Sequence, residues 1–280
     1  MAVLKKNQLL FGIVCFRERF WECSSFIRLH QSYLESQSSE PLHIFVFDNT
    51  DSKDWFIDYP SFEDNIKITY QRNPSNPGIS FAYNRIGDFA KNNDFEYIVF
   101  FDQDSELTKN TYSVYENFSK KNILAAAPKV ISQNQLISPS KYINYRSYLY
   151  DDLSSKKILL NGNSCINSGL MVKTSIFFET GAYNENLRLD FCDHDFIERL
   201  GTTAKELHIL PYELHQNFST DTNTLEQALF RFRLFDKDLS AFKKNRNKLL
   251  ITLLVDFPHL LRLTMQYKTL AFLKIKFSGK

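Results

Sequence analysis

The chain has 280 residues, 43% hydrophobic and 24% charged, with 34 basic against 32 acidic residues and a formal net charge of +2. That length suits one main α/β domain with an appendage rather than two equal domains, and so even a charge balance excludes the global basic field of a nucleic-acid binder. The four cysteines, Cys15, Cys23, Cys165 and Cys192, have neither zinc-site spacing nor the density of a disulfide scaffold, which fits a reducing cytosol.

In chain order, the opening MAVLKKNQLLFGIVCF runs into Arg17, Glu18 and Arg19 and reads as a strand, not a signal peptide. Compact apolar or alternating runs predict strands at Leu9–Phe16, His43–Phe47, Ile66–Gln71 and Tyr97–Phe101. Between them, Trp21 to Ser36 and Ser80 to Lys91 carry apolar residues at helical spacing. Strand and helix in alternation imply βαβ units and a doubly wound, mostly parallel sheet flanked by helices. Further strand-like runs at Ile123–Ala127, Ser164–Val172 and Leu207–Pro211, with a short helix near Asp193–Leu200, extend that sheet. From Thr224 the pattern is helical, giving a main domain over 1–220 and a helical C-terminal segment over 221–280. Asp256, Pro258 and His259 interrupt LLITLLVDFPHLL, so no uninterrupted apolar run reaches the roughly 18 residues of a membrane span.

Ligands in such sheets bind beyond the carboxyl ends of the strands, and two strands end in acid: Asp48 after Val46-Phe47, then Asp102 and Asp104 after Phe100-Phe101. Carboxylates gathered there destabilise one another unless a cation or donors compensate. An Asp-x-Asp can flank a hard divalent ion, Mg2+ or Mn2+, and leave positions open for a diphosphate; it can equally cap a turn or helix. A third acidic group, Asp190, Asp193 and Asp195 in LRLDFCDHDFIERL, starts a short helix. One of the three serves as a cap, and one turned into the cleft would act as a general base.

These residues bring the sequence to a known pattern. FGIVCFRER, VFDNTDS, NPSNPGISFAYNRIGDFA, FFDQDS and INSGLMVKTSIFFETGAYNENLRLDFCDHDFIERL, in that order over roughly residues 9 to 220, resemble the family-two inverting glycosyltransferases of GT-A-type fold, and among them the rhamnosyltransferase-like group. The resemblance implies a nucleotide-sugar donor, dTDP-L-rhamnose first and a UDP-hexose as the alternative. It also implies a glycan or lipid-linked saccharide acceptor in bacterial surface polysaccharide synthesis, and a divalent cation, Mn2+ or Mg2+. By position, Asp48 matches the acid at the nucleoside, Asn76, Gly78 and Asn84 the residues shaping the donor pocket, and Asp102 and Asp104 the metal motif. Asp193 matches the base, with Asp195 the runner-up. His215 falls where the family places a histidine at the metal. Cys192 stands where the family has a glutamate, and Gln216 and Asn217 where it has glycines. Arg72 and the Ser168-Gly169 pair are lesser candidates for phosphate and for close approach of the sugar. A nucleotidyltransferase or phosphodiesterase, which needs a fuller two-metal cluster, and a non-catalytic sugar-nucleotide-binding protein are the other readings.

Residues 243–280 set Lys243, Lys244, Arg246, Lys248, Arg262, Lys268, Lys274, Lys276 and Lys280 among leucines, phenylalanines and isoleucines. That mixture suits helices lying on an anionic membrane, or an appendage packed on the main domain or in a homo-oligomer. Both readings expect a cytoplasmic chain, peripheral at the inner face of the cell membrane in the first.

Overall fold

The structure, a computed structural model, describes residues 8–52, 55, 58–216 and 224–278. The chain begins β1 (Leu9–Cys15), α1 (Ser24–Ser36), β2 (Leu42–Asp48), β3 (Ile66–Arg72), α2 (Ile79–Asn92), β4 (Tyr97–Asp102) and α3 (Thr111–Ser119). It continues through β5 (Ala125–Ser132), β6 (Gln135–Ser138), β7 (Ser140–Ile143), β8 (Arg146–Tyr148), β9 (Lys157–Leu159), β10 (Asn163–Ser164), β11 (Met171–Lys173), α4 (Thr174–Glu179), α5 (Cys192–Thr203) and β12 (Glu206–His215). The C-terminal segment comprises α6 (Leu225–Phe242), α7 (Lys248–Ile251), a π-helical turn Thr252–Asp256, α8 (Phe257–Gln266) and α9 (Ala271–Ser278).

The main sheet has the order β3-β2-β1-β4-β11-β5-β12-β9, with β6 added to β5; a small second sheet has the order β10-β7-β8. β1 to β4 are mutually parallel and β12 is parallel to β5, whereas β11 runs antiparallel between β4 and β5. This is the doubly wound α/β architecture that the alternation of elements implied. The uninterrupted apolar run of β4 has its reason here. Ile98 and Phe100 pack with Ile86 of α2 and Phe196 of α5, while Tyr97, Val99 and Phe101 pack on the other face with residues of α1 and α3. A strand buried on both faces needs no polar alternation.

The expected strand Ser164–Val172 is broken in two. The backbone turns at Leu170, whose amide bonds Asn167 O at 2.9 Å, and Gly169 sits at φ +84°, donating to Phe100 O at 2.7 Å. A β-carbon at Gly169 would lie 2.5 Å from Pro128, so only glycine allows that approach. The strand expected at Leu207–Pro211 instead runs on to His215, because a register shift between Ile209 and Glu213 lets Pro211 pass without a ladder hydrogen bond.

The boundary expected near residue 220 lies outside the described residues. Beyond it, Leu239, Phe242 and Ile251 join the main core, while Ala228, Phe232, Leu260, Leu263 and Phe272 form a small core of their own. Three of the C-terminal cations face inward rather than outward. Lys243 and Lys276 both pair with buried Asp256, and Arg246 pairs with Asp195 and Glu198. The His259 ring lies tilted against Phe235, ring centroids 4.2 Å apart. Burial, then the charges of Arg262 and Arg231, push the His259 imidazole down to about 4.

An unfolded histidine titrates near 6.5, so between that value and about 4 the unfolded chain binds the extra proton. The His259 contribution is therefore complete above pH 6.5 and is lost as pH falls toward 4. We expect the melting temperature to fall more between pH 7 and pH 5 in the wild type than in His259→Phe, measured by thermal denaturation at each pH.

Candidate functional site

Strand register brings the first two acids together. Cys15 of β1 pairs with Asp48 of β2, Asp48 pairs with Arg72 of β3, and Val14 pairs with Asp102 of β4. Asp48 and Asp102 thus end parallel strands at the same carboxyl edge, and Asp104 follows in the turn. Their settings differ. Asp48 is buried, and both its oxygens are taken: Oδ1 accepts the Thr50 amide at 2.8 Å, and Oδ2 accepts the Trp55 indole at 2.8 Å and the Tyr70 hydroxyl at 2.6 Å. Arg72 donates to the carbonyls of Thr50 and Trp55 at 3.3 and 2.8 Å. Both residues hold Thr50 and Trp55, which follow β2.

The donor-pocket residues of the sequence pattern are also ties. Gly78, at φ +106°, begins α2, and a β-carbon there would lie 2.5 Å from the Arg188 carbonyl, so only glycine lets α2 start against the loop before α5. Ile79 donates its amide to the same carbonyl at 2.7 Å, and the guanidinium of Arg188 donates to the carbonyl of Asn76. Asn84 exchanges hydrogen bonds with the backbone of Tyr183 at 2.8 and 3.0 Å and reaches Glu185 at 2.9 Å. Its side chain ties α2 to the 183–188 loop.

Asp102 and Asp104 meet through a residue the sequence reading passed over. Gln216 Nε2 donates to Asp104 Oδ1 at 3.0 Å and lies 3.4 Å from Asp102 Oδ2, while the Tyr83 hydroxyl donates to Asp102 Oδ1 at 2.7 Å. Burial, with the charges of Asp104 and Asp193 adding to it against the Tyr83 and Gln216 hydrogen bonds, pushes the Asp102 carboxyl up to about 6. Gln216 is itself buried, and its Oε1 has no partner among the described residues. The His215 side chain lies apart from these acids. Side chains alternate along a strand; His215 is exposed and lines a cavity of about 490 Å³ with Thr108, Lys129 and Glu213, a cavity that includes none of the strand-end acids. Its backbone pairs with Glu106. The only sequence signal for Gln216 was its place directly after the histidine.

The acids around α5 separate by their partners. Asp190 is held in a fork by Arg231 of α6, with Nη2 to Oδ1 at 2.7 Å. Asp195 is only 4% exposed and bonds Arg246 through Oδ1 at 2.9 Å and Arg199 through Oδ2 at 2.8 Å. Asp193, half-buried, accepts the His194 amide at 2.7 Å and has no cationic partner among the described residues. His194 turns aside, bonding Ser164 Oγ at 2.7 Å and stacking on Tyr142 with centroids 4.3 Å apart. The loop before Asp193 is fixed by Asp238 of α6, a buried carboxylate accepting the amides of Arg188, Leu189 and Asp190 at 3.1, 2.8 and 2.9 Å. Cys192, in the glutamate's place, is buried, with its thiol against Asn167 at 3.6 Å and Leu189 O at 3.5 Å; burial raises it well above its ordinary value, so it acts as packing.

No protein-family model matches the sequence, and no curated protein does. Solved structures do share the fold. GalNAc-T7, crystallised with UDP, GalNAc and Mn2+, superposes with a TM-score of 0.55 at 12% identity over 83% of this chain and 48% of its own. S. aureus TarS 1-349 in complex with UDP-GlcNAc gives 0.51 at 12% identity, over 93% of this chain and 73% of its own. The chain spans about half the length of the first. These likenesses define the class: a GT-A-type α/β fold with a helical C-terminal appendage.

The partners of Asp195 make a stability prediction. Asp195→Ala strips two arginines of a buried carboxylate and is expected to cost about 3 kcal/mol, read from the urea midpoint. Asp193→Asn, which breaks no ion pair, should stay within about 0.5 kcal/mol of wild type.

Proposed function

We propose that this chain transfers a sugar from a nucleoside diphosphate to an acceptor hydroxyl with inversion, Asp102 and Asp104 serving the diphosphate and Asp193 acting as general base. The observation that carries the reading is the sorting of the acids. Asp190 and Asp195 have arginine partners, whereas Asp102, Asp104 and Asp193 share one electrostatic neighbourhood with only neutral donors among the described residues. Carboxylates left without compensation at a sheet edge are the mark of a functional site rather than a structural one.

The residues fit a hard divalent cation. Two carboxylates and the unpartnered Oε1 of buried Gln216 are oxygen donors of the kind Mn2+ or Mg2+ prefers. Such an ion, held by Asp102, Asp104 and Gln216, would supply charge neutralisation to a departing diphosphate. The chain's own residues do the remainder. Asp193 accepts the proton of the acceptor hydroxyl while its oxygen bonds the anomeric carbon and the carbon–oxygen bond to the diphosphate breaks on the opposite face. One such displacement inverts the centre and requires no enzyme nucleophile. Tyr83 and Gln216 keep Asp102 oriented, and Asp238 and Arg231 keep the Asp190–Asp193 loop in place.

The sequence resemblance favours dTDP-L-rhamnose, while the two solved structures were crystallised with UDP or UDP-GlcNAc; a pyrimidine nucleoside diphosphate is common to both. The acceptor in this reading is a glycan or lipid-linked saccharide of surface polysaccharide synthesis on the cytoplasmic side.

Calorimetry with UDP and dTDP, with and without Mn2+, tests the donor half. Binding of one or both should require the ion and disappear in Asp104→Asn at unchanged melting temperature; ion-independent affinity that survives the substitution defeats the assignment. For the base, Asp193→Asn should lower turnover roughly 10²- to 10⁴-fold with donor binding spared. If Asp193→Asn turns over normally, Asp193 is not the base. If wild-type protein binds donor yet neither transfers nor hydrolyses any sugar across a panel of pyrimidine nucleotide sugars, the chain is a binding protein.

A further inference from the structure

The helix from Lys248 to Gln266 is continuous across its π turn, and by length and composition it matches a membrane span. Its outer side carries Leu249, Leu253, Phe257, Leu261 and Met265, four residues apart and each between 47% and 70% exposed. Residues four apart drift around an α-helix, since a turn takes 3.6. The wider turn at Thr252–Asp256 takes in an extra residue and rotates the row back, so the five side chains form one ridge. Farther along the chain, Leu270 and Phe277 are 63% and 62% exposed as well. Contiguous apolar surface of this kind marks an interaction site.

Charge says what covers it. From residue 248 to 278 the chain holds Lys248, Arg262, Lys268, Lys274 and Lys276 against a single acid, Asp256. Burial works against the charge of Asp256, yet its bonds to Lys243 and Lys276 hold the carboxyl below its ordinary value, so this acid is neutralised inside. Outward, Lys248, Arg262, Lys268 and Lys274 are all exposed, and the segment presents positive charge alone. A second copy docked face to face would set like charges against each other. A spanning orientation would take Leu260 and Leu263 from their packing on Phe232 and Phe272, and the Asp256 ion pairs into hydrocarbon. Beside the ridge, between the β7–β8 turn and the helix, lies a cavity of about 350 Å³ with Leu254 and Pro258 on its walls and Arg146 and Arg262 among its lining. Apolar walls with guanidinium groups suit a phosphodiester headgroup above acyl chains.

We propose that this ridge docks on an anionic phospholipid bilayer, the helix lying in the membrane plane with its apolar row in the acyl boundary and Lys248, Arg262, Lys268 and Lys274 at the headgroups. Lys276, basic in sequence, is not part of this surface because it is spent on Asp236 and Asp256.

Co-sedimentation of the full chain with phosphatidylcholine vesicles, with and without phosphatidylglycerol, tests this directly and needs no nucleotide, so its outcome is separate from that of the transfer reaction. Wild type should partition onto the phosphatidylglycerol vesicles and be released by salt. Leu253→Ser with Phe257→Ser, and separately Lys268→Glu with Lys274→Glu, should each weaken partition at least about tenfold, since one lysine near such a surface is worth about fivefold. All four positions are exposed, so melting temperatures should hold. Equal binding to both vesicle types, no binding, or partition unchanged in the two variants overturns the proposal. So does a vesicle-free dimer in sedimentation velocity that the serine variant dissociates, which would make a second copy the occupant.

Discussion

Like charges gathered at one sheet edge repel, and Asp102, Asp104 and Asp193 are brought within one another's influence with a tyrosine hydroxyl, a glutamine amide and a backbone amide as their donors. The rest of the structure is arranged around that constraint. The parallel strands β1, β2 and β4 must stay in register to hold Asp102 where it is. Asp48 and Arg72, which could have joined the cluster, are spent instead on the segment after β2. The raised carboxyl of Asp102 follows from that crowding: burial and neighbouring charge favour the protonated form, and a cation bound there would reverse that preference.

Helix α6 is the second organising element. One buried carboxylate, Asp238, gathers three successive amides of the loop leading to Asp193, and Arg231 forks onto Asp190 from the same helix. Arg246, just beyond α6, clamps Asp195 and Glu198 on α5. The C-terminal segment is therefore no independent attachment. Its first helix holds the loop that leads to Asp193, its inner cations close ion pairs on buried acids, and only its outer ridge is left without a partner among the described residues.

Much of this was legible in the linear chain. Unbroken apolar runs such as Tyr97–Phe101 identify strands packed on both faces, the intervening helical spacing identifies crossovers, and polar residues after each run locate the ligand edge. These are consequences of local periodicity, and local periodicity survives folding. Position after such runs singled out Asp48, Asp102 and Asp104 as candidates, and position at a helix start singled out Asp190, Asp193 and Asp195. The break at Gly169 was not, because an apolar composition at Ser164–Val172 does not reveal a turn whose cause is close approach to Pro128 and Phe100, residues distant in sequence.

What the sequence by itself determined was the inventory: an α/β chain with carboxylates at its strand ends and a basic, apolar C-terminus. Tertiary structure decided which of those groups were already satisfied. Asp195 and Asp193 are two residues apart, yet Asp195 takes Arg199 and, from 51 residues away, Arg246, while among the described residues Asp193 takes no cation. His215 and Gln216 are adjacent, and the strand's alternation, running past a proline through a bulge, aims the glutamine rather than the histidine at the carboxylates. Lys276 and Lys274 look alike in the chain, yet one is turned in upon Asp256 and the other out to solvent. In each pair the chemistry depends on a partner distant along the chain, and no local pattern specifies where such a partner will fall.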